Sequence, residues 1–356
     1  MTKCITFVLP QGGKIPIGGF KVVYEYANNL VSRGYKVNII HSNHFTIKKS
    51  VASKVRSRLG SIRKSINKSY MPTTWFTLDR RVNAICVPSL EDEKYIPDAD
   101  VIIATMWWTS EFVAGYSEKK GGKYYLIQHY EDWFGDEERL IKTWQLPLHK
   151  IVIARWLAEV AEELNETYTY IPNGLDFSKF NMDIPIESRN KKNIMMLYHE
   201  ANWKGSADGL QALSIAKRYI PDLTVNLFGV PAGDDLPDWV NYHRIPSQDK
   251  LRDLYNQAAI FLAPSWSEGW GLPPAEAMMS GAAVVATDIG GHKEFLENNI
   301  TGCLVPVQRP DVMADTICDL IRDDGKRIML ATAGAENIRQ FTWARATTSL
   351  IKTIER

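Results

Sequence analysis

The sequence predicts an α/β protein of two doubly wound domains, each a parallel sheet covered by helices. Three observations carry that expectation. Short apolar runs alternate with helical patterns, twice over along the chain, as βα units do. The 356 residues suffice for two domains of ordinary size. Residues 259–281 read as a buried strand, a glycine-rich turn and a helix, which is how anion sites open in such sheets.

Cys4 to Leu9 is the first expected strand. Gly18 and Gly19 come before a helical recurrence of Val22, Val23, Tyr26 and Leu30, which Gly34 closes ahead of the strand Val37 to Ile40. The glycine pair stands at a helix N-terminus, where it either faces a ligand or simply turns the chain. Its spacing is not G-x-G-x-x-G and gives no dinucleotide fingerprint. Residues 48–68 carry eight Lys or Arg and no acid, with Val51, Val55, Leu59, Ile62 and Ile66 on one stripe. That is a basic amphipathic pattern able to lie on an anionic membrane, although the stripe would equally pack on its own domain.

Val82 to Pro88 and Asp100 to Thr105 are strand-like, and Asp98-Ala-Asp100 is taken as a structural strand start rather than a metal motif. Tyr124 to Gln128 is a strand ending in His129-Tyr130-Glu131-Asp132-Trp133, where ligand-facing residues collect in open α/β sheets. Strand, helix and strand follow through Tyr170. An Asn173-Gly174 turn then precedes the polar stretch Lys179 to Lys192, which suits a linker. The expected domains are 1–172 with 342–356, and 173–341. In the second, Asn193 to Tyr198, Leu223 to Phe228 and Tyr242 to Ile245 are strands, with helices at 206–218, 249–256, 310–323 and 325–340.

Composition narrows the class. The chain is 45% hydrophobic and 23% charged with a formal net charge of +1, the balance of a soluble globular protein with no global pull toward nucleic acid. Cys4, Cys86, Cys303 and Cys318 show no zinc spacing and read as reduced thiols, which favours the cytoplasm. No apolar run approaches a membrane span, and the first is too short for a signal peptide.

The central stretch is Pro264-Ser265-Trp266-Ser267-Glu268-Gly269-Trp270-Gly271-Leu272-Pro273-Pro274-Ala275-Glu276, ending at Gly281. Prolines are tolerated in a first helical turn and Gly281 suits a left-handed cap. Small residues let an anion reach backbone amides, and the two carboxylates are strong acceptors for hydroxyls. Glu268 through Met278 resembles the E-x7-E signature of family 4 glycosyltransferases, and the likeness continues through Gly290, Gly291 and Glu294. Ile171-Pro172-Asn173-Gly174-Leu175-Asp176 resembles that family's interdomain segment.

The resemblance implies a GT-B fold, two Rossmann-like domains facing across a cleft with the last helix crossing back to the first. It implies a retaining, metal-independent transfer from a UDP- or dTDP-linked sugar to a glycan or polyprenyl-linked acceptor, with no further cofactor. Glu276 would accept from ribose hydroxyls and Glu268 from the donor sugar, with amides of Gly269, Trp270, Gly271 and Leu272 near sugar and phosphate. Gly18 and Gly19 would lie near the donor phosphates, Ile245 against the base and His129 near the reacting carbon. Lys204-Gly205 matches a phosphate-binding G-R-x4-K-G segment in which His199 replaces the arginine, a weaker and pH-dependent partner. Lys204 would stabilise the leaving diphosphate.

Members of this kind build bacterial surface polysaccharide, so cytoplasmic location with peripheral contact at the inner membrane face is expected. A nucleotide-sugar epimerase of the same fold, or a non-catalytic nucleotide-sugar-binding subunit, are the competing expectations. A glycoside hydrolase ranks low, because a glutamate in a phosphate cradle is poorly placed as one of two facing carboxyls.

Overall fold

A computed structural model of the chain describes residues 2–10, 12, 14–42, 60, 61, 63, 64, 66–132 and 135–355. The basic stretch expected to meet a membrane therefore lies largely outside the described residues, as do Gln11, Gly13 and Trp133. The chain divides into two compact units, residues 1–174 with 343–356, and residues 175–342.

The first unit holds β1 (Cys4–Leu9), α1 (Gly18–Ser32), β2 (Lys36–Ser42), β3 (Asn83–Val87), β4 (Val101–Ala104), α2 (Trp107–Gly115), β5 (Gly122–Ile127), α3 (Glu137–Trp144), β6 (His149–Val152), α4 (Arg155–Glu163) and β7 (Tyr168–Tyr170). Its seven strands are ordered β3-β2-β1-β4-β5-β6-β7, and every pairing is parallel. Parallel strands covered on both faces are continuous apolar runs, and all four residues of β4 are buried. The Asp98-Ala-Asp100 segment is structural here: Asp98 pairs with Lys120, and Asp100 accepts from the Cys4 amide at 2.6 Å.

The second unit runs β8 (Asn193–Tyr198), α5 (Ser206–Tyr219), β9 (Thr224–Gly229), β10 (Val240–Arg244), α6 (Gln248–Gln257), β11 (Ile260–Ala263), α7 (Leu272–Met279), β12 (Ala283–Thr287), α8 (Gly290–Lys293), β13 (Cys303–Val305), α9 (Pro310–Arg322) and α10 (Asp324–Asn337). Its sheet is parallel, in the order β10-β9-β8-β11-β12-β13. Met196, Leu213, Val225, Leu227, Leu262, Val285, Met313 and Ile317 belong to its core. Side-chain caps start three of the helices: Asp136 accepts from the Arg139 amide, Ser247 from Lys250 and Asp323 from Lys326.

Residues 179–192 are not a free linker. They belong to the second unit, Phe180 is buried, and the buried Arg189 guanidinium donates to the carbonyls of Ile184, Ala258 and Ser280. A polar composition misleads here because one long cation satisfies several inward carbonyls at once. The last helix, α11 (Trp343–Ile354), belongs to the first unit. Arg33 donates to Thr348 Oγ1 at 2.8 Å and to the Ala344 carbonyl at 2.7 Å, and Trp343 stands edge-on to Tyr26.

Candidate active site

In an open parallel sheet, ligands settle beyond the carboxyl ends of the strands where the order reverses. In the second unit that point is between β8 and β11. The loop after β8 carries Lys204 and the loop after β11 carries Glu268. Lys204 Nζ donates to Glu268 Oε1 at 2.7 Å and to Oε2 at 2.8 Å, while Ser265 Oγ donates to Oε1 at 2.8 Å. The loops meet tightly, since a Cβ on Gly205 would lie 2.0 Å from the Pro264 carbonyl oxygen. Burial works most strongly against ionisation of Glu268. Lys204, His292 and Ser265 outweigh it and hold the carboxyl below its ordinary value.

Gly271 is the N-cap of α7 at φ +97°, a conformation that favours glycine. Pro273 and Pro274 have no N–H, so the amides this turn can offer an anion are those of residues 269–272. The Trp270 side chain is not turned to a ligand. It is 2% exposed and packed on Phe295 and Phe341, with ring centroids 4.9 and 5.4 Å away, so only its backbone can serve the site. Beneath the turn lies His292, fully buried, its Nδ1 bonded to the Thr287 carbonyl at 2.9 Å. A carbonyl only accepts, so Nδ1 carries the proton and Nε2 is a lone pair. Its pKa is lowered, chiefly by burial. His292 lines one small cavity with Lys204, Ser265, Glu268, Pro273 and Pro274. The sequence offered no motif for it, because its role depends on a fold-back of α8.

Glu276, in α7, is buried and accepts from Tyr255 Oη at 3.1 Å. Tyr255 on α6 was not singled out by the sequence, and an apolar helix face gives no sign of such a bond. Ile245, one residue past β10, has φ +44°, a rare conformation for a β-branched residue, and its side chain is 46% exposed. Its amide donates to the Gly229 carbonyl at 2.8 Å, which fixes the strained turn. A strained backbone presenting an apolar side chain to solvent at a strand end is characteristic of ligand sites.

His199 follows β8 directly and is exposed. Its backbone N–H donates to Ser206 Oγ at 2.9 Å, and its Nδ1 accepts from the Ala201 amide at 2.9 Å. The desolvation its ring suffers is the largest cause lowering its pKa, followed by Lys204; Glu268 and Glu200 pull the other way.

In the first unit the order reverses between β1 and β4. Gly18 and Gly19 open α1, whose N-cap Ile17 supplies no side-chain bond, and a Cβ on Gly19 would touch the Gln128 amide at 3.3 Å. His129 follows β5 in chain order, with Nδ1 bonded to the Tyr130 carbonyl at 2.8 Å and its ring edge-on to Trp156. Glu131 accepts from the Trp107 amide at 2.9 Å, and burial pushes its carboxyl up to about 8. Trp107 and Trp108 follow the end of β4 and start α2, with both side chains buried.

Lys204 and Glu268 are thus in contact with each other, and with Ser265 and His292 they line one cavity; Glu276 lies on the helix after that turn. Among the described residues, no group of three His, Cys, Asp or Glu is arranged to hold a metal ion, and no helix is long and apolar enough to cross a membrane.

Residues 194–323 match the family described as glycosyl transferases group 1. The D-inositol 3-phosphate glycosyltransferase of Corynebacterium efficiens is 36% identical over 102 residues, 29% of this chain. The phosphatidyl-myo-inositol mannosyltransferase of Mycolicibacterium smegmatis is 28% identical over 228 residues, 59% of this chain. The chain spans 24% and 58% of those relatives' own lengths. Among solved structures, Anabaena HepE in complex with UDP and glucose superposes with a TM-score of 0.74 at 15% identity, covering 99% of both chains. Sucrose-phosphate synthase from Thermosynechococcus elongatus gives 0.75 at 16% identity, covering 99% of this chain and 98% of that one. At such identities the likeness is one of fold, the GT-B fold of two Rossmann-like domains.

Proposed function

We propose, from the match of residues 194–323 to the family described as glycosyl transferases group 1 and from the GT-B fold, that this chain is a family 4 retaining enzyme. It moves a hexose or deoxyhexose from a UDP- or dTDP-linked donor to a glycan or lipid-linked glycan acceptor in surface polysaccharide synthesis. The observation that carries this is the Lys204–Glu268 pair at the order reversal of the second sheet, with Glu276 on the helix that follows.

In this reading Lys204 and the amides of residues 269–272 hold the diphosphate, with Gly18 and Gly19 near it. Glu268 accepts from sugar hydroxyls, Glu276 from the ribose, and Ile245 lies against the base. The bond from the anomeric carbon to the phosphate oxygen breaks first, with its electron pair leaving on the diphosphate. Lys204 offsets the charge that develops, so no metal is needed, and fixed charges cost no reorganisation at that moment. The acceptor hydroxyl adds on the same face and gives its proton to the departing phosphate oxygen. His129, whose Nδ1 is fixed by the Tyr130 carbonyl, offers the Nε2 lone pair to a substrate hydroxyl. The protein works in the cytoplasm, with residues 48–68 resting on the inner membrane face.

The test is a screen of nucleotide sugars by thermal stabilisation, followed by donor turnover with polyprenyl-linked and free glycan acceptors. A ligand at a hundred times its Kd raises apparent stability by about 2.7 kcal/mol. Stabilisation with slow donor hydrolysis and acceptor-dependent release of nucleotide is expected. If no nucleotide sugar shifts the melting transition, the assignment fails.

A further inference from the structure

His199 stands beside Lys204 and Glu268, and one hydrogen bond decides which of its nitrogens meets a ligand. The Ala201 amide can only donate, so the Nδ1 it reaches at 2.9 Å must be a lone pair. The proton of the neutral ring is then on Nε2. Becoming an imidazolium would put a proton on Nδ1 against the Ala201 N–H and sacrifice that bond. The neighbour charges bear on the same question. Lys204 opposes a second positive charge, Glu268 and Glu200 favour it, and Glu268 is already engaged by both contacts from Lys204.

We infer that His199 meets the donor diphosphate as a neutral imidazole through a single directed Nε2–H, leaving Lys204 as the cation of that subsite. This deepens the donor reading given above and rests on it. A neutral N–H supplies direction and one hydrogen bond without net charge, unlike a guanidinium, which is always charged and binds phosphate with two prongs. Lys204 in turn shares its charge with Glu268. The pair therefore gives a bare nucleoside diphosphate little net attraction, and the sugar hydroxyls on Glu268 must supply part of the grip. The subsite accordingly favours the intact nucleotide sugar over the spent nucleotide.

The consequence for pH is specific. A neutral donor has nothing to lose as pH rises from about 6.5 to 8.5, whereas an imidazolium contact would weaken by up to about tenfold per pH unit above its pKa. A nucleotide sugar is the right probe, because its diphosphate is a diester that does not titrate in that window.

The experiment measures affinity of the full chain for UDP-glucose, dTDP-glucose and GDP-mannose by calorimetry at about pH 6.5, 7.5 and 8.5. It is repeated with His199→Gln, which keeps a neutral donor, with His199→Ala and with His199→Arg. Nitrogen-resolved imidazole spectra, with the His199 signal identified by its loss in His199→Gln, report the tautomer directly. Expected are a flat profile for the parent chain, glutamine within about threefold of it and alanine about tenfold weaker. Arginine should hold free UDP about tenfold tighter than the parent does. An unprotonated Nδ1 with a protonated Nε2 in the spectra completes the pattern. An affinity that falls with pH in the parent and not in His199→Gln, or a doubly protonated ring in the bound state, overturns the inference while leaving the donor reading intact. Failure of the parent to bind any nucleotide sugar, these three and the UDP- and dTDP-linked hexoses and deoxyhexoses of the stabilisation screen included, overturns both.

Discussion

Lys204 Nζ reaches both carboxylate oxygens of Glu268, at 2.7 and 2.8 Å, across the point where the second sheet reverses its strand order. The carboxylate side chain is 13% exposed, so losing its cation leaves a largely buried charge with one neutral partner. Lys204→Met should cost about 1–3 kcal/mol in urea unfolding. The double variant with Glu268→Gln should lose less than the two singles added, by about 1 kcal/mol or more. Simple additivity would show that the contact contributes nothing beyond two independent side chains.

The same pair sets an acid limit. The folded pKa of Glu268 is below its unfolded value of about 4.3, so its stabilisation is fully present above that value and disappears as pH falls through the folded pKa. Without the cation, burial raises the variant's carboxyl, so the stability gap between the parent chain and Lys204→Met should be widest at neutral pH and narrow steadily as pH falls into acid. Thermal unfolding over that range reads it. A gap that stays the same width into acid would remove the ion pair as its source.

Tyr255 positions Glu276 by one hydrogen bond at 3.1 Å, deep in the second unit. Glu276→Ala should abolish most donor binding, whereas Tyr255→Phe should weaken it about three- to tenfold with turnover unchanged, the size of one neutral-to-charged bond. Lys204→Ala, in contrast, should lower turnover more than binding, because its interaction strengthens as the diphosphate leaves. Equal losses of affinity in Tyr255→Phe and Glu276→Ala would mean that the tyrosine is itself a contact residue.

The sequence exposed what is local and left hidden what depends on fold-back. Apolar runs such as Val101 to Ala104 and Ala283 to Thr287 are strands because a parallel sheet needs both faces covered. Glu268, Gly271 and Glu276 were legible because a turn and a helix start have their own chemistry. His292 was not, since only the packing of α8 under Gly271 gives it a role. Trp270 stands between the two glycines of the turn yet is a core side chain, and the Lys179 to Lys192 stretch has the composition of a linker although Arg189 ties it to the carbonyls of Ile184, Tyr255, Ala258 and Ser280. In each case the partners that decide the residue's place are distant in the chain, where local composition carries no trace of them.

Ile245 holds φ +44° while its side chain stays exposed, so the strain is not repaid by burial. Ile245→Gly should raise stability by about 1 kcal/mol, since glycine enters that region freely, less what the freer unfolded chain takes back. Nucleotide-sugar affinity should fall at the same time if the aliphatic surface lies against the base. A variant that is more stable and binds as tightly as the parent would leave the strained turn without a role in ligand binding.

Gly271 is constrained twice. Its φ of +97° disfavours any Cβ, and a Cβ placed there would lie 3.0 Å from His292 Cδ2. Gly271→Ala should therefore lose about 1–2 kcal/mol from the backbone alone, with a further loss from pressing on a ring that Thr287 holds in place. The two contributions can be separated. Adding His292→Ala opens space under the turn, so the double variant should recover the steric part of the loss relative to His292→Ala alone and keep the backbone part. Donor affinity should drop in Gly271→Ala because the amides of residues 269–272 move with the cap, and should recover only partly in the double variant. Denaturant midpoints with matched calorimetry decide it: a Gly271→Ala chain as stable as the parent, binding nucleotide sugar equally well, would place the anion cradle elsewhere.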